Sequence, residues 1–203
     1  MRIAWIHKTP VVNLSILLLY LGTIFLGISK DLYADTIPHR TYETQKLSTE
    51  TPVIDGVLND DAWNTVEWSG DFVQREPYEG EEPSQKTVFK ILYDDNNLYV
   101  AIKAFDTEVD KIDKRVTRRD EFEGDMVVIQ IDSYFDKLTA YSFVVTAGGV
   151  KCDEHITNED NTDDTWNPVW YVKTSIDYDG WYAEMKIPLT QLRFAKQRPK
   201  QNR

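Results

Sequence analysis

Several groups of residues in this chain have types and spacings that could do chemistry. The run Asn158-Glu159-Asp160-Asn161-Thr162-Asp163-Asp164 gathers carboxylate and amide oxygens of the kind that ligate calcium, with Asp160, Asp163 and Asp164 as candidate ligands. It lacks the glycine and the closing glutamate of an EF-hand loop, so a solvated acidic turn is the alternative reading. Paired carboxylates can hydrolyse glycosidic bonds. With 34 Asp and Glu in the chain, however, some pair meets the distance requirement in any fold, so the pairing discriminates nothing. Cys152 and His155 are three residues apart and point to opposite faces of a strand, which argues against a nucleophile–base pair. Trp166, between the acidic run and Pro168, and Tyr78, in the Glu76–Pro83 loop, are placed to stack on a flat ligand face; packing is the other role open to each. Neither H-E-x-x-H, G-x-S-x-G nor a phosphate-binding loop occurs, so no enzyme is visible in these residues.

The elements that must position these residues are short strands. Thr87, Phe89, Ile91 and Tyr93 alternate with Val88, Lys90 and Leu92, the Asp94–Asn97 turn follows, and Leu98, Val100, Ile102 and Ala104 alternate with Tyr99, Ala101, Lys103 and Phe105. That pattern predicts a hairpin. Val127, Ile129 and Ile131 alternate with Met126, Val128 and Gln130 in a strand running to Asp132. A return strand through Tyr141, Phe143 and Val145 ends at Gly148-Gly149, and a shorter one covers Val150 to Ile156. After the acidic loop come a strand around Trp170 and Val172, a turn at Asp177–Gly180, and an inward set of Trp181, Ala183, Met185 and Ile187 opposite Tyr182, Glu184 and Lys186. The strand pattern is read as beginning at Val53, and Thr107 to Asp120 as a surface turn. Trp63, Trp170 and Trp181 are assigned to the core. The predicted fold class is all-β: an antiparallel, jelly-roll-like β-sandwich.

The chain has 203 residues and a formal net charge of −11, is 41% hydrophobic and 12% aromatic, and contains one cysteine. The acid excess excludes a duplex nucleic acid or an anionic membrane as the expected partner, because neutralising phosphates takes Lys and Arg. A lone Cys152 excludes an internal disulfide and a cysteine-rich zinc site. Residues 1–34 read as a signal peptide: Arg2 and Lys8, the apolar stretch Leu14–Ile28, and Ala34 before Asp35. An uncleaved anchor is the alternative. The expected location is outside the cytoplasm: periplasm, outer membrane or extracellular. Residues 35–51 read as a linker or lead-in strand, 52–194 as the sandwich, and 195–203 as a polar tail. No apolar strand follows Ile187, so the sandwich is expected to lack its last strands.

Three stretches together resemble a family 9 carbohydrate-binding module: Val53-Ile54-Asp55-Gly56 with Asp60-Asp61-Ala62-Trp63, Ile91 to Ala101, and Asp125 to Asp132. Phe72, Glu76-Pro77, Glu79-Gly80 and the run from Trp166 through Gly180-Trp181 to Leu192-Arg193-Phe194 are similar to the amino-terminal module of large bacterial cell-envelope proteins whose later region looks like an outer-membrane β-barrel. The resemblance implies a terminal sugar held between two aromatic rings, with Phe122 at the first stacking position and the second ring on strands beyond this chain. It implies that an acidic contact of the family falls at Val128 and an arginine contact at Val144, both apolar here. It also implies structural calcium. The expected function is an exported, non-catalytic carbohydrate-binding module associated with degradation of xylan- or cellulose-type polysaccharide, with Phe122, Trp166 and Tyr78 as the candidate binding residues. One alternative is an interaction or gating domain of a larger outer-membrane protein whose sugar site has been lost. A second is a glycoside hydrolase acting on O-glycosyl bonds.

Overall fold

The computed structural model describes residues 40–194 apart from Thr49, Phe122, Glu159 and Asp160. The signal-peptide reading of residues 1–34 and the polar tail at 195–203 lie outside the described residues. Contacts divide the chain between Thr41 and Tyr42, and the strands belong to the second unit. They are β1 (Gln45–Lys46), β2 (Thr87–Tyr93), β3 (Asn97–Phe105), β4 (Met126–Ile131), β5 (Ala140–Thr146), β6 (Lys151–Thr157), β7 (Asn161–Asp163), β8 (Tyr171–Ile176) and β9 (Gly180–Pro188). They form a five-stranded sheet in the order β1-β2-β3-β9-β8 and a four-stranded sheet in the order β4-β5-β6-β7. Every pairing is antiparallel except β1 on β2. The all-β sandwich expected from the alternation is the fold.

The inner faces meet as the period-two pattern requires. Val100 and Ile102 of β3 and Trp181, Ala183, Met185 and Ile187 of β9 pack on Tyr141, Phe143 and Val145 of β5, with Trp170 between the sheets. Trp63, Trp170 and Trp181 are all buried, as assigned. Gly180 shows why glycine starts β9: a Cβ there would lie 2.1 Å from the carbonyl oxygen of Ala104, at a φ of +143°.

Three local readings change. Residues 53–86 form no strand among the described residues; they contribute a short 3₁₀ turn at Asp61–Thr65 and a single bridge, Ser69 to Phe89. The reason is that the outer face of the five-stranded sheet is itself apolar. Leu92, Tyr99 and Ala101 need a cover, and Ala62, Trp63 and Val66 supply it. Second, Glu184, placed opposite the inward set of β9, is 0% exposed beneath that cover. Its Oε2 accepts the backbone N–H groups of Asp55 (3.0 Å) and Gly56 (3.1 Å), and its Oε1 accepts the Trp63 indole N–H (2.9 Å). Lys90, also buried, donates to the Trp63 carbonyl at 2.6 Å and lies over the Trp68 ring. Gly56 sits at φ +87°, with Thr174 backbone 3.2 Å from any added Cβ, so glycine is required at that point of the motif. Third, part of the acidic run is β7, paired on β6 through His155–Asp163, Ile156–Thr162 and Thr157–Asn161. Asn158, left-handed at φ +52°, turns the chain into it.

Candidate functional site

The outward residues of the four-stranded sheet line up in rows. One row is apolar: Val128 of β4, Val144 of β5 and Cys152 of β6 are successive cross-strand partners. The next row is polar, with Gln130 beside Ser142 and Ser142 beside Glu154. Val128 is 49% exposed, whereas Val144 is 1% exposed and packs with Val150 and Cys152. The segment before β4 folds back along β6. The Asp120 N–H donates to the Lys151 carbonyl, the Asp153 N–H donates to Asp120 Oδ1, and the Cys152 thiol lies 3.8 Å from the Glu121 carbonyl oxygen. Asp120 thereby occupies the free half of the β6 edge that short β7 does not reach.

Electrostatics single out the polar row. Burial pushes the Glu154 carboxyl above its ordinary value, and the charges of Asp164 and Asp120 add to the effect. The Ser142 hydroxyl is buried and has no hydrogen-bond partner in the protein. Gln130 is exposed beside it. Together these give an amide, a hydroxyl and a half-buried carboxyl side by side along an apolar strip. Gln130 and Glu154 can hydrogen-bond a polyhydroxylated ring while a C–H face rests on Val128; the Ser142 hydroxyl is too deeply buried to take part directly. The amide and carboxyl accept and donate in directions that the three strands fix.

The inner side of β6 has a different use. Asp153 is buried, takes two bonds from Arg119 Nη2 (2.6 and 2.9 Å) and accepts the Trp170 indole N–H at 2.8 Å. His155 stacks on Tyr141 with ring centroids 4.8 Å apart. Trp166 closes this group, tilted on Tyr141 at 5.0 Å and edge-on to Phe143 at 5.5 Å. Cys152 faces outward and His155 inward, as the strand geometry predicts.

The sequence candidates therefore scatter. Trp166 is half-buried and packs against β5 and β6. Tyr78 is 68% exposed in a loop that leads to β2 of the other sheet, where its carbonyl accepts the Glu81 N–H. The structure brings these two aromatics into no common site. Phe122 lies outside the described residues, as does Asp160. Asp163 Oδ1 accepts from the Thr165 N–H and hydroxyl, and that bonding holds its carboxyl below the usual range. Asp164 acts on Glu154 from across the loop. Among the described residues no group of three or more His, Cys, Asp or Glu is arranged to hold a metal ion, and Asp163 is committed to its own turn. Gln130, Ser142 and Glu154 were missed because alternation says which way each points but not which strands are neighbours. Pairing β4–β5–β6 is what aligns them.

Residues 54–202 match the family model described as carbohydrate family 9 binding domain-like. The chain belongs to this family. A family 9 carbohydrate-binding module from Caldicellulosiruptor kristjanssonii, solved with glucose, is 26% identical, with a TM-score of 0.52 over 73% of this chain and 70% of that one. The same kind of module from that organism with cellotriose gives 26% identity and a TM-score of 0.51 over 72% and 67%. A Bacteroides uniformis protein provisionally assigned to carbohydrate binding shares the fold at 14% identity, with a TM-score of 0.56 over 74% and 73%. Curated protein sequences give no match. Within this family 9 domain, the Val53–Trp63 motif serves the fold, since its backbone and indole N–H groups surround Glu184.

Proposed function

We propose that this domain is a non-catalytic module that binds gluco-configured oligosaccharide on the outer face of β4–β6. The observation that carries the reading is the polar row Gln130–Ser142–Glu154 lying directly beside the apolar row through Val128. Similarity to family members solved with glucose and with cellotriose supports the ligand class. The valines at 128 and 144 remove two charged contacts that the resemblance implies, so hydroxyl recognition passes to the neighbouring row. In this reading Gln130 bonds one hydroxyl through its amide and Glu154 accepts from another. Each such bond contributes about 1 kcal/mol net, and leaving its partner buried without one costs more. Export, and service to cellulose- or xylan-type polysaccharide breakdown, belong to the same proposal. The basic, then apolar, start of the sequence supports export.

Calorimetric titration with glucose, cellotriose and xylotriose tests it. Cellotriose is expected to bind, and Gln130→Ala and Glu154→Ala each to weaken it roughly tenfold. Glu154→Gln, which keeps the shape and one acceptor, is expected to lose less. Absence of binding by all three sugars, or unchanged affinity in both alanine variants with the fold intact, overturns the proposal.

A further inference from the structure

A second cleft lies at the β8 edge of the five-stranded sheet, beside the start of β6. Its volume is about 420 Å³, and it follows β8, the terminal strand of that sheet. Tyr171 and Lys186 are cross-strand partners on β8 and β9, and Lys173 follows on the same face of β8. Lys151 reaches in from the other sheet, its ammonium donating to the Trp170 carbonyl at 2.9 Å. Pro52 and Ile54 form the apolar wall opposite. The Tyr171 ring is 52% exposed, with the Lys186 ammonium 6.0 Å from its centroid.

The charge pattern is unusual for this chain. In a protein of net charge −11, the cleft is lined by three lysines and no carboxylate. No ion pair among the described residues involves Lys151, Lys173 or Lys186. Asp153, next along β6, gives its oxygens to Arg119 and Trp170, and Glu184, the cross-strand partner of Lys173, gives its own to Trp63 and the 55–56 backbone. Burial holds the Lys151 ammonium below its ordinary value and the nearby Arg119 charge deepens the effect, against the smaller pull of the Asp153 and Asp120 carboxylates. An anion in the cleft would relieve both. The ligand that uses every wall has a flat, C–H-bearing ring for Tyr171 and a carboxylate for the ammonium groups.

We propose that this cleft binds an acidic saccharide, with a uronic acid ring resting on Tyr171 and its carboxylate held by Lys173, Lys186 and Lys151. The proposal is separate from the β4–β6 reading in its side chains: Lys151 begins β6, but none of Val128, Gln130, Ser142 and Glu154 lines this cleft.

The test is titration of the full chain with trigalacturonate, cellotriose, inorganic phosphate and a tetraglutamate peptide, at low salt and at about 0.5 M salt. Trigalacturonate is expected to bind and to weaken at least tenfold in high salt, as exposed charge pairing is screened. Lys173→Ala and Lys186→Ala are each expected to weaken it several-fold, and Tyr171→Ala to weaken it without changing the salt dependence. Cellotriose affinity is expected to stay unchanged in all three variants, which separates this site from the β4–β6 face. Thermal midpoints close to that of the parent exclude misfolding. Equal binding of phosphate or of tetraglutamate reduces the cleft to a general anion or acidic-peptide site and overturns the saccharide assignment. No binding of trigalacturonate, or binding indifferent to the lysine variants, overturns it as well.

Discussion

Replacing Glu184 by alanine leaves the N–H groups of Asp55, Gly56 and Trp63 without their acceptor. Because the site is fully buried, Glu184→Ala is expected to cost about 2–4 kcal/mol in chemical denaturation. Burial raises the Glu184 carboxyl above its ordinary value, with the N–H bonds working in the opposite direction. The folded state therefore holds its proton more tightly than the unfolded chain. The stability carried by that proton is complete at low pH and is lost as pH rises from the ordinary carboxyl range through the raised value. The gap between parent and Glu184→Ala should accordingly narrow as pH rises across that window, and a gap that widens would contradict the assignment. A second contrast concerns the two valines. Val144→Arg places a charge in the covered cluster of Val150 and Cys152 and is expected to lower the thermal midpoint by many degrees, whereas Val128→Glu, on an exposed partner, should leave it within a few. Alternation in the sequence made these two residues equivalent. What distinguishes them is position: Val144 packs with Val150 and Cys152 on an internal strand, whereas Val128 lies on the edge strand β4.

The β2–β3 hairpin shows what local sequence can specify. Asp94 Oδ1 accepts the N–H groups of Asn96 and Asn97, both at 2.6 Å, and Oδ2 accepts the Tyr99 hydroxyl at 2.8 Å. Burial opposes ionisation of Asp94, but the bonds from Asn96, Tyr99 and Asn97 outweigh it and hold the carboxyl below its usual value. Burial, with the Asp94 carboxylate beside it, pushes the Tyr99 hydroxyl up to about 12. A depressed carboxyl contributes stability above its unfolded value that is lost as pH falls through the folded one. Asp94→Ala is therefore expected to cost about 1–2 kcal/mol at neutral pH, with the difference from the parent shrinking in acid below the ordinary Asp range. Urea denaturation of both proteins at neutral pH and in acid checks this. Every partner in that turn lies within five residues of Asp94, so the hairpin was readable from the sequence with its boundaries. The Val53–Trp63 cover was not, because it answers to Glu184, far away along the chain, and replaces strand pairing with bonds to a buried carboxylate. Short β7 was hidden for a related reason: an acidic run reads as loop until β6 offers it an edge.

At the scale of the whole molecule, the two sheets close well on the β8–β9 and β5 side and poorly on the other. β1 is only two residues long and pairs with Leu92 and Tyr93, and β4 ends its sheet, so the edges of β2 and β4 face each other with little between them. A gap of about 370 Å³ opens there, lined by Phe89, Ile91, Val100 and Ile102 from one sheet and by Val127, Val128, Ile129 and Gln130 of β4 from the other. Phe72, 44% exposed, lies at its mouth and touches Phe89 at a centroid distance of 5.8 Å. The period-two pattern placed Phe89, Ile91, Val100, Ile102, Val127 and Ile129 inward correctly. It could not show that this part of the core is left uncovered, because that depends on which strands end each sheet. Apolar surface reachable from water in a folded protein binds amphiphilic dyes and is a liability at sheet edges. The native protein is therefore expected to enhance anilinonaphthalene sulfonate fluorescence well below its thermal transition. Ile129→Lys, which points a charge into the gap, should abolish most of that enhancement. The same variant should retain its strand content by circular dichroism. Dye enhancement that persists in Ile129→Lys, or that appears only as the protein unfolds, would show that the gap is closed in solution.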